Sequence, residues 1–456
     1  MRIIIVGAGE VGSYIAWRLA AEDKEVVVVD KDPQVLASIA EKLDVETVQG
    51  PGSSPRILEE AGVKKADLLL AVTDSDEINL IACTFSNILA SELIKVARIR
   101  NPEYTEYQEV LAKDLLHIDV VINPEQEVVA SIERLMSAPG AAEISEFTDV
   151  EVNLAGVWIH EGNRLVGLDL AKARQRLGEA NFIVAAIFRR EKVIIPSGAD
   201  TIQAGDLVYF VCAKKDLQQV LKTFGSRAWQ QHDVLIIGGG NIGYKLAREL
   251  EPRKELQVKL LERDRGRCEF LAQNLDRAIV LNGNGTDQDL LQQENIGEMD
   301  VVLTLTGDEE NNILCSLLAK SMGAKMTITR IDKNAYLPLM QTIGLEHTVS
   351  PRLSAANSIL RYVRHGTVLS SISIQDKAEA LEVEVGQDSM LANKKLKEVP
   401  FPKGTIVLGI ISSQEVIIPT GNSLIRSGDK LVILSTRKQI SQVEEKLLSS
   451  QGQTGV

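Results

Sequence analysis

The chain has 456 residues, which at roughly 100 to 200 residues per domain calls for two to four domains and argues against one compact core. Lys plus Arg number 50 against 63 Asp plus Glu, a formal charge of −13 with no basic tract, so nucleic acid is a poor partner on electrostatic grounds. Hydrophobic residues at 45% and charged ones at 25% match globular averages, and only the tail after Ser449 reads as loose.

No apolar run approaches the ~20 residues needed to cross a bilayer. The N-terminus enters a strand-like run, Arg2 to Val6, without the basic region, apolar core and cleavage site of a signal peptide, which speaks against secretion. Cys83, Cys212, Cys268 and Cys315 lie far apart with no CxxC spacing. They argue against zinc ribbons and disulfide scaffolds and fit a reducing cytosol.

Taken in order, apolar runs at Ile3 to Val6, Val26 to Val29, Leu68 to Val72, Lys95 to Ile99 and Val120 to Val121 predict strands. Between them, Ser13 to Ala20, Pro33 to Lys42 and Asn79 to Ser91 carry helical spacing. Alternation of this kind predicts a buried parallel sheet wrapped by helices. After a break near Ala138-Pro139-Gly140 the chain becomes strand-rich, with one helix expected over Lys214 to Thr223. Trp158, Phe182 and Phe188 are its expected core.

From Gly225-Ser226 onward the pattern starts again. Ile3-Ile-Ile-Val-Gly-Ala-Gly-Glu-Val-Gly12 recurs as Val234-Leu-Ile-Ile-Gly-Gly-Gly-Asn-Ile-Gly243. Downstream, Asp30 answers to Glu262, Thr73 to Thr306, Asn79 to Asn312, Arg98 to Arg330 and Tyr104 to Tyr336. The strand-rich part repeats too. Val193-Ile-Ile-Pro196, Gly198 and Gly205-Asp206 return as Val416-Ile-Ile-Pro419, Gly421 and Gly428-Asp429 after a break near Gly366, with a second helix expected over Lys438 to Leu448. Four domains follow, over residues 1–138, 139–228, 229–366 and 367–456: two Rossmann-like doubly wound sheets alternating with two small α+β modules.

Each glycine loop follows a strand, opens a helix and meets an acidic residue at the end of the second strand, the context that gives GxGxxG its meaning. Gly7 allows the tight turn, Gly9 lets phosphate approach the backbone, and Gly12 lets the helix pack on the strand. The free N–H groups of Ala8, Glu10 and Val11 and the helix dipole then face a pyrophosphate. Asp30 would accept from ribose hydroxyls. The second copy supplies Gly238, Gly239, Gly240, Asn241, Ile242, Gly243 and Glu262. A carboxylate there repels a 2′-phosphate and favours NAD over NADP, while ATP or ADP presents the same free ribose; a tight turn with no ligand is the bland alternative.

Thr73, Asp74, Leu305 and Thr306 end the fourth strand of each unit, at the ligand edge of such sheets. They either touch the nucleotide or belong to a helix cap formed by Thr73, Ser75 or Asp76. Asp74, Asp76 and Glu77, echoed at Asp308 to Glu310, present carboxylates to a divalent cation or simply to water. Arg98 and Arg100 follow the fifth strand, with Arg330 matching Arg98. They offer a fork to phosphate or form surface salt bridges; Asp332 stands where the first copy has Arg100, which confines any polyphosphate preference to the first copy. Catalysis lacks candidates: His117, His160, His232, His347 and His365 do not pair under the repeat and have no recognisable partner.

Taken together, the Gly7 loop with Asp30, the Gly238 loop with Glu262 and the Val-Ile-Ile-Pro-x-Gly…Gly-Asp modules resemble the RCK family that regulates potassium conductance. The fourfold order resembles alternating RCK-N and RCK-C domains over essentially the whole chain. The resemblance implies a cytosolic, homotetrameric ring, peripheral at the cytoplasmic face of the inner membrane. Such a ring docks beneath a membrane-embedded potassium-translocating subunit and gates it according to bound NAD(H), ATP or ADP. Two departures stand out, Glu262 in place of Asp and Gly307 where the first unit has Asp74. An NAD-dependent oxidoreductase and a soluble nucleotide-sensing scaffold remain the alternative readings.

Overall fold

The computed structural model describes residues 1–22, 24–101, 103–104, 117–147, 151–177, 182–190, 192–225, 231–333, 336–363, 368–375, 377–387, 389–412, 415–440 and 442–443. Ser226, His365, Gly366, the far end of the helix expected over Lys438 to Leu448 and the tail after Ser449 lie outside the described residues.

The first sheet contains β1 (Arg2–Val6), β2 (Glu25–Asp30), β3 (Glu46–Gln49), β4 (Leu68–Ala71), β5 (Ile94–Arg98) and β6 (Val120–Ile122). Their order is β3-β2-β1-β4-β5-β6, all parallel. This is the doubly wound arrangement, whose order reverses between β1 and β4 and opens a crevice there at the carboxyl ends of the strands. Central strands read Ile-Ile-Ile-Val and Val-Val-Val-Val because both faces are covered, and every one of those side chains is buried. Helices Glu10–Ala20 and Asp76–Leu89 follow β1 and β4.

The second sheet is antiparallel, β7 (Glu143–Glu146), β8 (Val152–Trp158), β9 (Phe182–Arg189), β10 (Lys192–Ile194) and β11 (Leu207–Ala213), ordered β10-β9-β11-β8-β7. Phe182 and Phe188 are buried; Trp158 packs on the core that holds Phe188, while Phe182 meets Phe210 and Phe224 edge to face. The third sheet, β12 (Asp233–Ile237), β13 (Gln257–Glu262), β14 (Ile279–Asn282), β15 (Val301–Thr304), β16 (Met326–Arg330) and β17 (His347–Val349), repeats the first strand for strand. The fourth, β18 (Val368–Ile374), β19 (Ala378–Glu384), β20 (Thr405–Ser412), β21 (Glu415–Ile417) and β22 (Lys430–Thr436), has the order β18-β19-β22-β20-β21 and repeats the second.

The Gly-Asp pairs of the small modules have a structural reason. Gly205 and Gly428 adopt φ of +83° and +84°, and the buried Asp206 and Asp429 fold back to accept from the N–H of Gln203 and Arg426, each at 2.7 Å. Asp206 also takes a bidentate bond from Arg189, at 2.7 and 2.8 Å. All four cysteines are free and buried.

The chain divides into two compact units, one of residues 1–128 with 350–363 and one of residues 129–349 with 364–456. In the first, helix Pro351–Val363 lies on helix Glu10–Ala20, adding Ala355, Ala356, Ile359 and Leu360 to the core around Ile3, Ile5, Ile15 and Leu19. Burial of those four side chains contributes roughly 5 kcal/mol before entropy is charged. In the second, helix residues up to Ser137 reach the third sheet's domain: Glu133 pairs with Arg253, and the carbonyl of Met136 accepts from Gln231 at 2.8 Å. Both antiparallel sheets share one core there, with Phe188, Tyr209 and Val211 beside Ile374, Leu408 and Leu434. No helix among the described residues is long and apolar enough to cross a membrane.

Candidate functional site

Each glycine loop is built by contacts that leave no choice of residue. Gly7 and Gly238 have φ of +107° and +111°. A Cβ on Gly7 would lie 2.8 Å from Thr73 N, and one on Gly238 would lie 2.9 Å from the carbonyl carbon of Leu305. A Cβ on Gly12 or Gly243 would come within 1.9 or 2.0 Å of the Gly7 or Gly238 carbonyl oxygen. The middle glycines differ. A Cβ on Gly9 or Gly240 would meet nothing within 4 Å, so their small size serves neither packing nor a turn. It leaves the backbone approachable from the crevice, the condition phosphate binding requires.

Glu10 and Asn241 are exposed on the loops, whereas Val11 and Ile242 are buried and offer the crevice only main-chain groups. Helices Glu10–Ala20 and Asn241–Leu250 start at Gly9 and Gly240 with no side-chain cap. Neither cap residue carries a side chain that would cover the helix start, the setting in which an anion can meet a helix N-terminus.

Asp30 and Glu262 stand at the ends of β2 and β13 as expected. One oxygen of each is held by the loop: Ala8 N–H donates to Asp30 Oδ2 at 2.6 Å, and Gly239 N–H to Glu262 Oε2 at 2.8 Å. The other accepts from Asp32 N–H or Asp264 N–H, at 2.9 and 2.8 Å. The longer Glu262 side chain reaches the same two partners as Asp30, so the substitution is geometrically mild. Each carboxylate oxygen keeps a second lone pair for a ribose hydroxyl.

The opposite wall of each crevice hangs on an asparagine that the sequence reading matched across the repeat without assigning a role. Asn79 is fully buried. Its Oδ1 accepts from Thr73 N–H at 2.9 Å and Thr73 Oγ1–H at 2.7 Å, and its Nδ2 donates to the carbonyls of Thr73 and Arg98 at 3.1 and 2.8 Å. Asn312 does the same for Thr306 at 2.9, 2.7 and 3.1 Å and for Arg330 at 3.2 Å. One amide thus fixes the end of β4 or β15 against the end of β5 or β16. The signal was available: the same residue three positions inside each helix.

Capping falls to different residues. Ser75 Oγ accepts from Ile78 N–H at 3.2 Å, and Asp308 Oδ1 from Asn311 N–H at 3.0 Å. Leu305 has a buried side chain and meets Gly238 through its backbone. Among the described residues no group of three or more His, Cys, Asp or Glu side chains converges on a metal position. Asp76 is instead turned to the loop after β5, accepting from the N–H groups of Arg100 and Asn101 at 2.9 and 2.8 Å.

The two crevices differ in charge. In the first, Arg98 is only 13% exposed while its partner Asp74, at 3.5 Å, is 91% exposed. Burial, then the neighbouring Arg100, pull the Arg98 pKa below its ordinary value, and its buried Nε has no hydrogen-bond partner among the described residues. Arg100 reaches the Asp74 carbonyl. Two guanidiniums therefore share one solvated carboxylate. In the second, Asp332 replaces Arg100 and grips Arg330 through Nε and Nη2 at 3.1 and 2.8 Å.

Two doubly wound units with open glycine loops, alternating with two small antiparallel modules, are the tandem arrangement of RCK-N and RCK-C domains. Residues 3–124 and 234–351 match the TrkA-N domain family, and residues 154–225 and 380–448 the TrkA-C domain family. The Trk system potassium uptake protein TrkA of Halomonas elongata is 38% identical over 449 residues, spanning 97% of this chain and 98% of the relative. That of Haemophilus influenzae is 36% identical over 451 residues, spanning 98% of each. The chain belongs to the TrkA family of Trk potassium uptake proteins. Among solved structures, the GsuK channel bound to NAD superposes with a TM-score of 0.61 at 18% identity, over 98% of this chain and 79% of that one, a likeness of fold.

Proposed function

We propose that this chain is the nucleotide-binding regulatory subunit of a Trk-type potassium uptake system. NAD(H) occupies the crevice formed by Gly7 to Gly12, Asp30, Thr73, Asp74, Arg98 and Arg100, and the crevice formed by Gly238 to Gly243, Glu262, Leu305, Thr306 and Arg330. ATP and ADP are alternative occupants, favoured in the first crevice by its paired guanidiniums. As a homotetrameric ring at the cytoplasmic face of the membrane, the chain controls a membrane-embedded potassium-translocating subunit of the TrkH or TrkG kind. The nucleotide acts as an effector with no turnover, and it shifts the ring only by the difference in its affinity for the two ring shapes, a coupling of about 1 to 3 kcal/mol in most allosteric systems.

The observation that carries this reading is the pair of middle glycines, Gly9 and Gly240, which face open space where every neighbouring glycine is packed. Gly9→Asp with Gly240→Asp therefore leaves the fold intact and places a carboxylate where phosphate would lie. Calorimetric titration with NADH, NAD, ATP and ADP, followed by potassium flux with the membrane partner, tests it. Binding and nucleotide-dependent flux should both vanish in the double variant. Undiminished titrations would overturn the proposal, and steady consumption of NADH with a carbonyl substrate would return the oxidoreductase reading.

A further inference from the structure

The second crevice has a feature the first lacks, and it lies beside Glu262. Arg267 Nε donates to the carbonyl of Gly239 at 2.7 Å, the same residue whose N–H holds Glu262. Its guanidinium lies over the ring of Phe270, 4.5 Å from the centroid, and 5.8 Å from that of Tyr244. Those two rings meet edge to face at 5.4 Å. Among the described residues neither Nη nitrogen of Arg267 has a hydrogen-bond partner. A planar cation is thus fixed by one bond and one aromatic platform beside the carboxylate that would take the ribose. In the first crevice, Asp32 caps its helix as Asp264 does here, and Val35, packed on the core, stands at the place of Arg267.

Resting on the nucleotide reading above, we propose that Arg267 is the specificity-determining residue of the second crevice. Its guanidinium stacks on the adenine base attached to the ribose that Glu262 accepts, so this crevice reads the adenosine end. The first crevice reads the terminal phosphates through Arg98 and Arg100. Arginine suits the role because its planar, weakly hydrated head stacks face to face on a ring, whereas a lysine ammonium is a strongly hydrated point charge with no plane to stack. The Glu262 carboxylate disfavours the other use of an arginine there, pairing with a 2′-phosphate.

The test uses the full chain carrying Gly9→Asp, which silences the first crevice. AMP, NAD and NADPH are titrated calorimetrically with and without Arg267→Ala, with ligand-free thermal unfolding as the control for folding. AMP and NAD affinities should fall on the order of tenfold, the scale of one lost base stack. Arg267→Lys should lose as much, since charge without a plane does not stack. Unchanged AMP and NAD affinity in Arg267→Ala overturns the assignment while the nucleotide reading stands. NADPH affinity that falls in Arg267→Ala and is restored by Arg267→Lys overturns it in favour of 2′-phosphate recognition. Absence of any nucleotide binding in Gly9→Asp alone overturns the assignment together with the nucleotide reading of the second crevice.

Discussion

Replacing Asn79 by alanine removes four hydrogen bonds in one step, two accepted from Thr73 and two donated to the carbonyls of Thr73 and Arg98. The Thr73 hydroxyl can turn to the Ser75 carbonyl, 3.1 Å away, so that bond is largely recovered. The other three partners belong to main chain at the bottom of the crevice. At roughly 1 kcal/mol per net bond, more where a group is left dry, the loss comes to about 3 kcal/mol. Urea unfolding of the full chain, followed by circular dichroism, measures it. Asn312→Ala should lose a similar amount because its distances match. Nucleotide affinity in the affected crevice should fall as well, since Thr73 and Arg98 are no longer held in register. A loss under about 1 kcal/mol in either variant would refute the view that one amide ties the two strand ends together.

The packed glycines should behave oppositely to the open ones. Gly12→Ala and Gly243→Ala drive a methyl into a carbonyl oxygen and should destabilise by about 1 to 3 kcal/mol, as overpacking does, in thermal melts where Gly9→Ala stays near the parent. His347 gives a pH signature: desolvation, only partly offset by backbone hydrogen bonds with Thr327 and Ala141, pulls its pKa from 6.5 to about 4. Between those values the unfolded chain takes up a proton that the folded chain refuses. Stability is therefore full above pH 6.5 and declines as pH falls towards 4, by about 1 to 2 kcal/mol given that the ring keeps some solvent exposure. His347→Gln should flatten that part of the stability curve.

Much of the architecture is legible because its causes are local. Ile-Ile-Ile-Val and Val-Val-Val-Val declare strands buried on both faces, and the glycines at 7, 9 and 12 declare a strand-to-helix turn. Even the Gly-Asp pairs are visible as repeats, although their reason, a carboxylate folded back onto the N–H three residues earlier, needs the structure. Arg98 and Arg330 align by sequence, but their unlike charge settings depend on Asp74 and Asp332 side chains whose direction no spacing reveals. Asn79 looked like any polar helix residue, because the four groups it joins come from two strands. Arg267 escaped for the opposite reason: comparing the halves finds what they share, and Val35 breaks the match. Helix Pro351–Val363 has an evident apolar face, yet nothing local says which sheet it covers.

That helix sets the order in which the protein can be made. Residues 1–128 leave the ribosome with the socket for Ala355, Ile359 and Leu360 still bare, and the piece that fills it is translated more than two hundred residues later. At about 5 to 20 residues per second, the nascent first unit waits for tens of seconds with apolar surface exposed. Synthesis stopped before residue 350 would release an incomplete first unit however well its own strands had paired.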